Sequence, residues 1–237
     1  MNKIIKQLVD FIYPRRCPVC HEIVGLTGEL ICKTCERKFT YVEEPYCMKC
    51  GKPLKEEEKE YCIQCCENKY YFNEGRSVFI YEDTMRFSIY RFKYGNRPEY
   101  AEYYAKEIYR KYKRKIKEWN ADIIIPIPLH KSRLNKRGYN QAYLVAKELS
   151  KLSHIPTDEK YLVRKKKTSV QKNLTASERA DNIKNAFKIK KNRVKLKSAI
   201  LIDDIYTTGV TINEASKTLK EAGIEKVYFV CVSTGRG

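Results

Sequence analysis

Two adjacent carboxylates followed by a turn rich in threonine and glycine hold the most specific chemistry in this sequence. Residues 199–211 read Ala-Ile-Leu-Ile-Asp-Asp-Ile-Tyr-Thr-Thr-Gly-Val-Thr. The apolar start predicts a buried strand over 199–203, with Asp203 and Asp204 at its C-terminal end, where open α/β sheets bind their ligands. Thr207, Thr208, Gly209 and Thr211 then wrap into the start of a helix. Free N–H groups and the positive dipole end favour an anion there. Gly209 lets the backbone come close to it, and the threonine hydroxyls add donors. Carboxylates beside a phosphate would repel it, so they need another target, and neighbouring sugar hydroxyls are the natural one. A ribose 5-phosphate group therefore fits the whole cluster. The plainer alternative is an ordinary helix cap with Thr207 or Thr208 at its N-terminus. No GxxxxGKS or GxxxxGKT stretch is present and no GxGxxG follows a strand, which excludes the Walker-type ATP loop and the dinucleotide fingerprint.

Cysteine spacing supplies the second signal. Nine of the ten cysteines lie between residues 17 and 66, and eight of them form the pairs Cys17/Cys20, Cys32/Cys35, Cys47/Cys50 and Cys62/Cys65. Two intervening residues turn both sulfurs onto one tetrahedral ion, and four thiolates close its shell, which is the pattern of structural zinc. Twelve positions separate Cys20 from Cys32 and again Cys50 from Cys62, a repeat that reads as two zinc ribbons in series. The simplest assignment puts one Zn²⁺ on Cys17, Cys20, Cys32 and Cys35 and a second on Cys47, Cys50, Cys62 and Cys65. Spacing alone leaves interleaved pairing open. Cys66 stands where it could replace Cys65, and His21 adjoins Cys20 as an alternative ligand. A segment this short and polar draws its folding energy from metal. Cys231, in the apolar run 227–232, reads as an inert buried thiol.

Cations gather at two further places. Residues 126–141 follow a short β-branched run and read Pro-Ile-Pro-Leu-His-Lys-Ser-Arg-Leu-Asn-Lys-Arg-Gly-Tyr-Asn-Gln. At a strand's C-terminal end this loop should face the threonine turn and offer His130, Lys131, Arg133 and Arg137 to a diphosphate. Arg137 and Gly138 could instead cap the following helix, and the bond before Pro128 is a candidate cis peptide. Residues 165–179 are polar, basic and aperiodic, as in a mobile loop. Arg164 adjoins this loop, and Lys172 and Arg179 lie within it.

The stretch 200–211 resembles the phosphoribosyl pyrophosphate signature of the type I phosphoribosyltransferases. The resemblance implies that Asp203 and Asp204 hold the ribose hydroxyls, that the 207–211 loop holds the 5-phosphate, and that Mg²⁺ accompanies the bound phosphoribosyl pyrophosphate. It also matches the 126–141 loop to the pyrophosphate loop and residues 164–187 to the flexible lid, which implies that Arg164, Lys172 and Arg179 close over the diphosphate, neutralising it and excluding water. A solvated loop is the alternative to the lid. With the cysteine ribbons in front, essentially the whole chain is similar to the ComF family, whose members are linked to DNA uptake in naturally competent bacteria. That implies single-stranded DNA and proteins of a DNA-uptake machinery as partners. A small-molecule phosphoribosyltransferase of nucleotide salvage is the alternative; no acceptor-base pocket is legible, so turnover and acceptor stay open.

The elements needed to position these groups follow from periodicity. Strands near 76–81, 122–127, 160–164, 186–189, 199–203 and 226–232 alternate with helices near 85–94, 98–119, 137–152 and 211–222, which predicts an α/β fold with a mostly parallel sheet. The expected domains are a double zinc ribbon over 1–72, with a short N-terminal helix, and a phosphoribosyltransferase-like domain over 73–237. Residues 1–74 carry no net charge, and residues 75–237 carry the full +19. That asymmetry fits a polyanion partner, although lysine-rich surfaces also serve solubility alone. The basic end of the second helix (Arg110, Lys111, Lys113, Arg114, Lys115, Lys117) reads as a solvated helix terminus or a nucleic-acid contact. Tyrosines among the cations, at 90–94 and 103–112, could stack single-stranded bases. No run of 18 apolar residues spans a membrane, and residues 1–16 lack a secretory pattern, so a cytoplasmic location is expected.

Overall fold

A computed structural model describes residues 14–24, 28–165, 184–190 and 196–236. Four strands make one sheet: β1 (Glu74–Ile80), β2 (Ile123–Pro126), β5 (Ser198–Tyr206) and β6 (Lys226–Thr234). Their order is β1-β6-β5-β2, and every pair is parallel. Parallel pairing follows from the crossovers, α2 (Asp83–Tyr94) and α3 (Tyr100–Trp119) between β1 and β2, and α6 (Val210–Glu221) between β5 and β6. A short antiparallel hairpin, β3 (Leu162–Arg164) with β4 (Phe187–Ile189), stands apart from the sheet.

Strand alternation sorts the core into two layers. Ile200 and Ile202, with Val230 and Val232, pack under α2, α3 and α5 (Gln141–Ser153). Ala199 and Leu201, with Phe229 and Cys231, face α6, the β3–β4 hairpin and the second cysteine ribbon. Cys231 is fully buried, as expected of an inert thiol. The tyrosine stripe of α3 is core: Tyr100, Tyr103, Tyr104 and Tyr112 are all buried. The expectation that residues 103–112 offer stacking tyrosines is therefore corrected for Tyr103, Tyr104 and Tyr112. Three of the six cations at the basic end of α3 are paired, Arg110 with Glu107, Lys111 with Glu43, and Lys115 with Glu74 and Glu118.

The cysteine-rich segment is built into this frame. Tyr41 bridges Phe79 in antiparallel sense, with Val42 donating to Val78 (2.9 Å) and Ile80 donating to Thr40 (2.8 Å). This short rim covers the edge of β1, which would otherwise expose unpaired backbone. The buried Arg76 pairs with Glu74, donates to the Met48 carbonyl (3.2 Å) and lies over the Tyr46 ring (4.7 Å). Behind it, Gly75 donates to the Lys49 carbonyl at 2.9 Å, and a Cβ on Gly75 would overlap the Phe229 ring.

Candidate functional site

The strand carrying the two acids runs further than its apolar residues predict, to Tyr206. Asp203 and Asp204 thus sit inside β5 rather than at its end and point to opposite sides. Asp203 shares a narrow notch, about 10 Å³, with Tyr206, Thr207, Thr208, Gly209 and Thr211. Gly209 has φ +76° and is the N-cap of α6. This left-handed residue turns the chain from strand to helix so that the first amides of α6 open toward the notch. Neither Thr207 nor Thr208 is the cap residue, and no side chain caps this helix.

Asp204 faces the other way and forms an ion pair with Lys93 at 2.8 Å. Lys93 lies in the last turn of α2, and sequence reading missed it. The two residues are 111 positions apart, and nothing local marks Lys93 as the partner. Asp203 has no such direct cation among the described residues. Burial, and then the neighbouring Asp204 carboxylate, push its pKa up to about 7, against a bond from the Asp204 amide and the fields of Lys93 and Arg164. Arg164, at the neck of the β3–β4 hairpin, is pulled down to about 10 by burial and by Arg133, while Asp203 opposes the shift. Lys93 and Arg164 therefore lie close enough for their charges to act on Asp203, and Arg133 close enough to act on Arg164. Lys172 and Arg179 lie outside the described residues.

The proline loop differs from expectation in two ways. The bond before Pro128 is trans; the cis bond among the described residues is Glu44–Pro45. Residues 131–137 form a short helix, α4 (Lys131–Arg137), so the helix expected over 137–152 begins only at Gln141, after Gly138 reverses the chain at φ +78°. His130 caps α4, its Nδ1 accepting from the Ser132 amide (3.2 Å). Lys131 is exposed, and Arg133 is half-buried, its pKa lowered by burial and by Arg137. Arg137 donates to Gln141 and to the Tyr94 hydroxyl, each at 3.0 Å, and lies over the Tyr94 ring.

The Arg-Gly-Tyr-Asn-Gln run is thus a clamp between α2, α4 and α5. Tyr139 donates to the Phe92 carbonyl at 2.6 Å, and Gln141 reaches the same carbonyl. Asn140 caps α5 by accepting from the Ala142 amide (3.1 Å), while its amide group holds the Ile127 carbonyl (3.0 Å). Losing both should matter more than losing a plain cap. Asn140→Ala is expected to destabilise the protein by about 1–2 kcal/mol, read as a lowered urea midpoint with an unchanged slope.

The cysteines resolve into two compact clusters, Cys17, Cys20, Cys32 and Cys35, and Cys47, Cys50, Cys62 and Cys65, each with its sulfurs within 4.8 Å of one another. Consecutive pairs therefore group together, and interleaving is excluded. Four sulfurs with no competing carboxylate suit Zn²⁺, so the ribbon carries two structural zinc sites. Cys66 is exposed and belongs to neither cluster. His21 is no ligand: its Nδ1 meets the Tyr100 hydroxyl at 2.9 Å, and burial and Arg97 lower its pKa. It pins the first ribbon to α3, beside the Arg91 bond to the Val19 carbonyl (2.9 Å).

A parallel sheet with an acid pair, a threonine–glycine loop and a detached hairpin, fronted by paired four-cysteine clusters, defines a phosphoribosyltransferase fold behind a double zinc ribbon. Comparison with known families agrees. The phosphoribosyl transferase domain model matches residues 100–236, and the double zinc ribbon domain model matches residues 8–66. The chain is 37% identical over 152 residues to Competence protein F of Haemophilus influenzae, covering 62% of this chain and 66% of that protein. It is 32% identical over 154 residues to Competence protein ComFC of Bacillus subtilis, covering 63% and 59%. It is 34% identical over 111 residues to DNA utilization protein YhgH of Escherichia coli O157:H7, covering 47% and 48%. The matches thus span between about half and two thirds of these relatives' lengths. The chain belongs to the phosphoribosyl transferase domain family and, within it, to the ComF group with an N-terminal double zinc ribbon. No helix among the described residues is long and apolar enough to cross a membrane.

Proposed function

We propose that the protein binds phosphoribosyl pyrophosphate with Mg²⁺ and uses this site while handling single-stranded DNA in natural transformation, in the cytoplasm. The observation that carries the reading is the shared notch of Asp203 and the 207–211 loop. In this reading the loop amides and Thr207, Thr208 and Thr211 hold the 5-phosphate, and Asp203 and Asp204 hold the ribose hydroxyls. Arg164, Arg133, Lys131 and His130 face the diphosphate, with Lys172 and Arg179 of the lid; Arg137 steadies this wall through Tyr94. The acids also fit a hard cation. Asp203 is raised first by burial and then by the second acid, and Asp204 already draws an ammonium to 2.8 Å. Mg²⁺ would come with the diphosphate and with the ribose hydroxyls that these acids serve, and its charge would help neutralise the diphosphate. The DNA-directed part rests on the charge asymmetry and on relatives named for competence and DNA utilization.

The test uses the titration of Asp203. To serve hydroxyls or a cation it must lose its proton, so affinity for phosphoribosyl pyrophosphate with Mg²⁺ should rise as pH increases toward about 7, by about tenfold per unit below that value. Calorimetry in buffers of different ionisation heat should detect proton release, and Asp203→Asn should remove the slope. Without ligand the sign is opposite. Between about 4 and about 7 the folded chain keeps a proton that the unfolded chain has shed, so stability falls as pH rises through that window. No heat on titration, or pH-independent affinity without proton release, sinks this reading. Acceptor-dependent pyrophosphate release, with no salt-dependent DNA affinity, would favour the small-molecule transferase instead.

A further inference from the structure

Helix α2 buries Met85, Ser88, Ile89 and Phe92, and it turns Lys93 toward Asp204. An amphipathic helix with that inner face should carry charge on the opposite one. Instead its outer face carries Phe87, Tyr90 and Tyr94, which are 62%, 61% and 53% exposed. The spacings of three and four residues align them on one stripe, with the rings of Tyr90 and Tyr94 5.2 Å apart. Scattered exposed aromatics need no explanation, but a contiguous row does. The stripe also has a direction. It ends at Tyr94, where the Arg137 guanidinium lies 4.9 Å from the ring centroid. Burial alone would raise the Tyr94 phenol, yet Arg137, Lys93 and Arg133 outweigh it and lower the pKa. The row therefore runs from open solvent to Arg137, Arg133 and Lys93, the last of which pairs with Asp204.

We propose that the outer face of α2 is a stacking platform for single-stranded DNA, leading a strand toward the phosphoribosyl site; this deepens, and rests on, the DNA-handling reading above. Three features select this occupant. Aromatic faces accept any base, and interleaved cations hold the backbone, the usual design of sequence-tolerant single-strand binding. Neighbouring rings lie about 5–6 Å apart along the helix axis, close to the step of an extended strand whose bases have left the duplex. The charge is complementary: Lys136, next to Arg137 in the chain, is exposed at the Tyr94 end, and Arg86, which pairs with Asp83, is exposed at the Phe87 end, both within the part of the chain that carries the whole +19. Duplex DNA hides its base faces and gains nothing from the rings.

The experiment measures Kd of zinc-loaded, full-length protein for a fluorescent oligothymidylate of about 16 nucleotides across a salt series. Phe87→Ala with Tyr90→Ala should weaken binding about tenfold or more per ring while leaving the salt slope unchanged. Phe87→Leu with Tyr90→Leu keeps the apolar bulk and should weaken it comparably. Lys136→Ala should instead lower the salt slope. Unchanged zinc content and phosphoribosyl pyrophosphate heats certify the fold. If the wild type binds and both aromatic double variants bind equally well, the platform is overturned, the DNA reading stands, and the face belongs to a protein partner. If the wild type shows no salt-dependent affinity for the oligonucleotide, the DNA reading itself falls.

Discussion

Replacing Cys50 by serine is expected to remove the second zinc ion and to abolish phosphoribosyl pyrophosphate binding together. Cys50 is 1% exposed and shares a core with Cys47, Cys62, Phe72, Tyr206 and Phe229. From that core the chain reaches the 207–211 loop, the proposed phosphate site, directly. Tyr70 donates to the Thr208 carbonyl (3.4 Å), and the Tyr71 amide donates to Asn213 Oδ1 (2.7 Å) in the first turn of α6. Phe72 packs edge-on against Tyr206 and Phe229. A structural zinc site contributes about 10–16 kcal/mol of apparent folding free energy, comparable to the whole stability of a domain, about 5–15 kcal/mol. Losing one ligand of a closed shell therefore leaves the ribbon nothing to fold on, and the loop loses its backing. The readouts are a halved zinc content, a lower and broader thermal transition, and no titration heat. Cys20→Ser is the contrast. The first ribbon leans on α2 and α3 through Arg91, Tyr100 and Arg15, so its loss should spare the phosphate loop. Wild-type ligand affinity in zinc-depleted Cys50→Ser would refute the coupling.

Gly209→Ala should weaken ligand binding through geometry alone. An alanine at φ +76° pays the left-handed penalty of about 1–2 kcal/mol. Its Cβ would also lie 2.5 Å from the Tyr206 hydroxyl. Tyr206 cannot give way easily: it is 1% exposed, and its ring stacks on Phe229 at 4.8 Å. The loop must shift instead, and hydrogen bonds from its amides to a phosphate, worth about 1.5–3 kcal/mol each, lose alignment. Affinity for phosphoribosyl pyrophosphate should fall at least about tenfold. Ribose 5-phosphate should lose as much, because the damage lies at the 5-phosphate. A selective loss for the pyrophosphate compound would place the 5-phosphate elsewhere.

Much of this arrangement was written into local chemistry. Cys-x-x-Cys pairs at a repeated twelve-residue offset demand tetrahedral closure, and the two clusters close as consecutive pairs. The β-branched and apolar runs announced the parallel strands, and the Thr-Thr-Gly turn announced the start of α6. Boundaries were less legible where side chains serve two ends. Asp203 and Asp204 look like the stop of a strand, yet β5 continues because Ile205 and Tyr206 pair with Ser233 and Thr234 of β6. The residues after Arg137 carry no legible role in the sequence; Tyr139, Asn140 and Gln141 hold α2 and the 127 carbonyl in place.

The sequence by itself determined which groups exist: two closed thiolate sets, an acid pair, an amide-rich turn and an excess of cations. Their types and short-range spacing are covalent facts, and chemistry acting over a few residues reads them directly. Tertiary structure decided how distant groups face one another. It set Lys93 against Asp204, sent Asp203 to the other side of the sheet, wedged the second ribbon behind the 207–211 turn, and turned three aromatics of α2 outward while burying four of the five tyrosines of α3. Those pairings depend on sheet order and helix rotation, which arise from the joint burial of the whole apolar surface and leave no trace in any single stretch of chain.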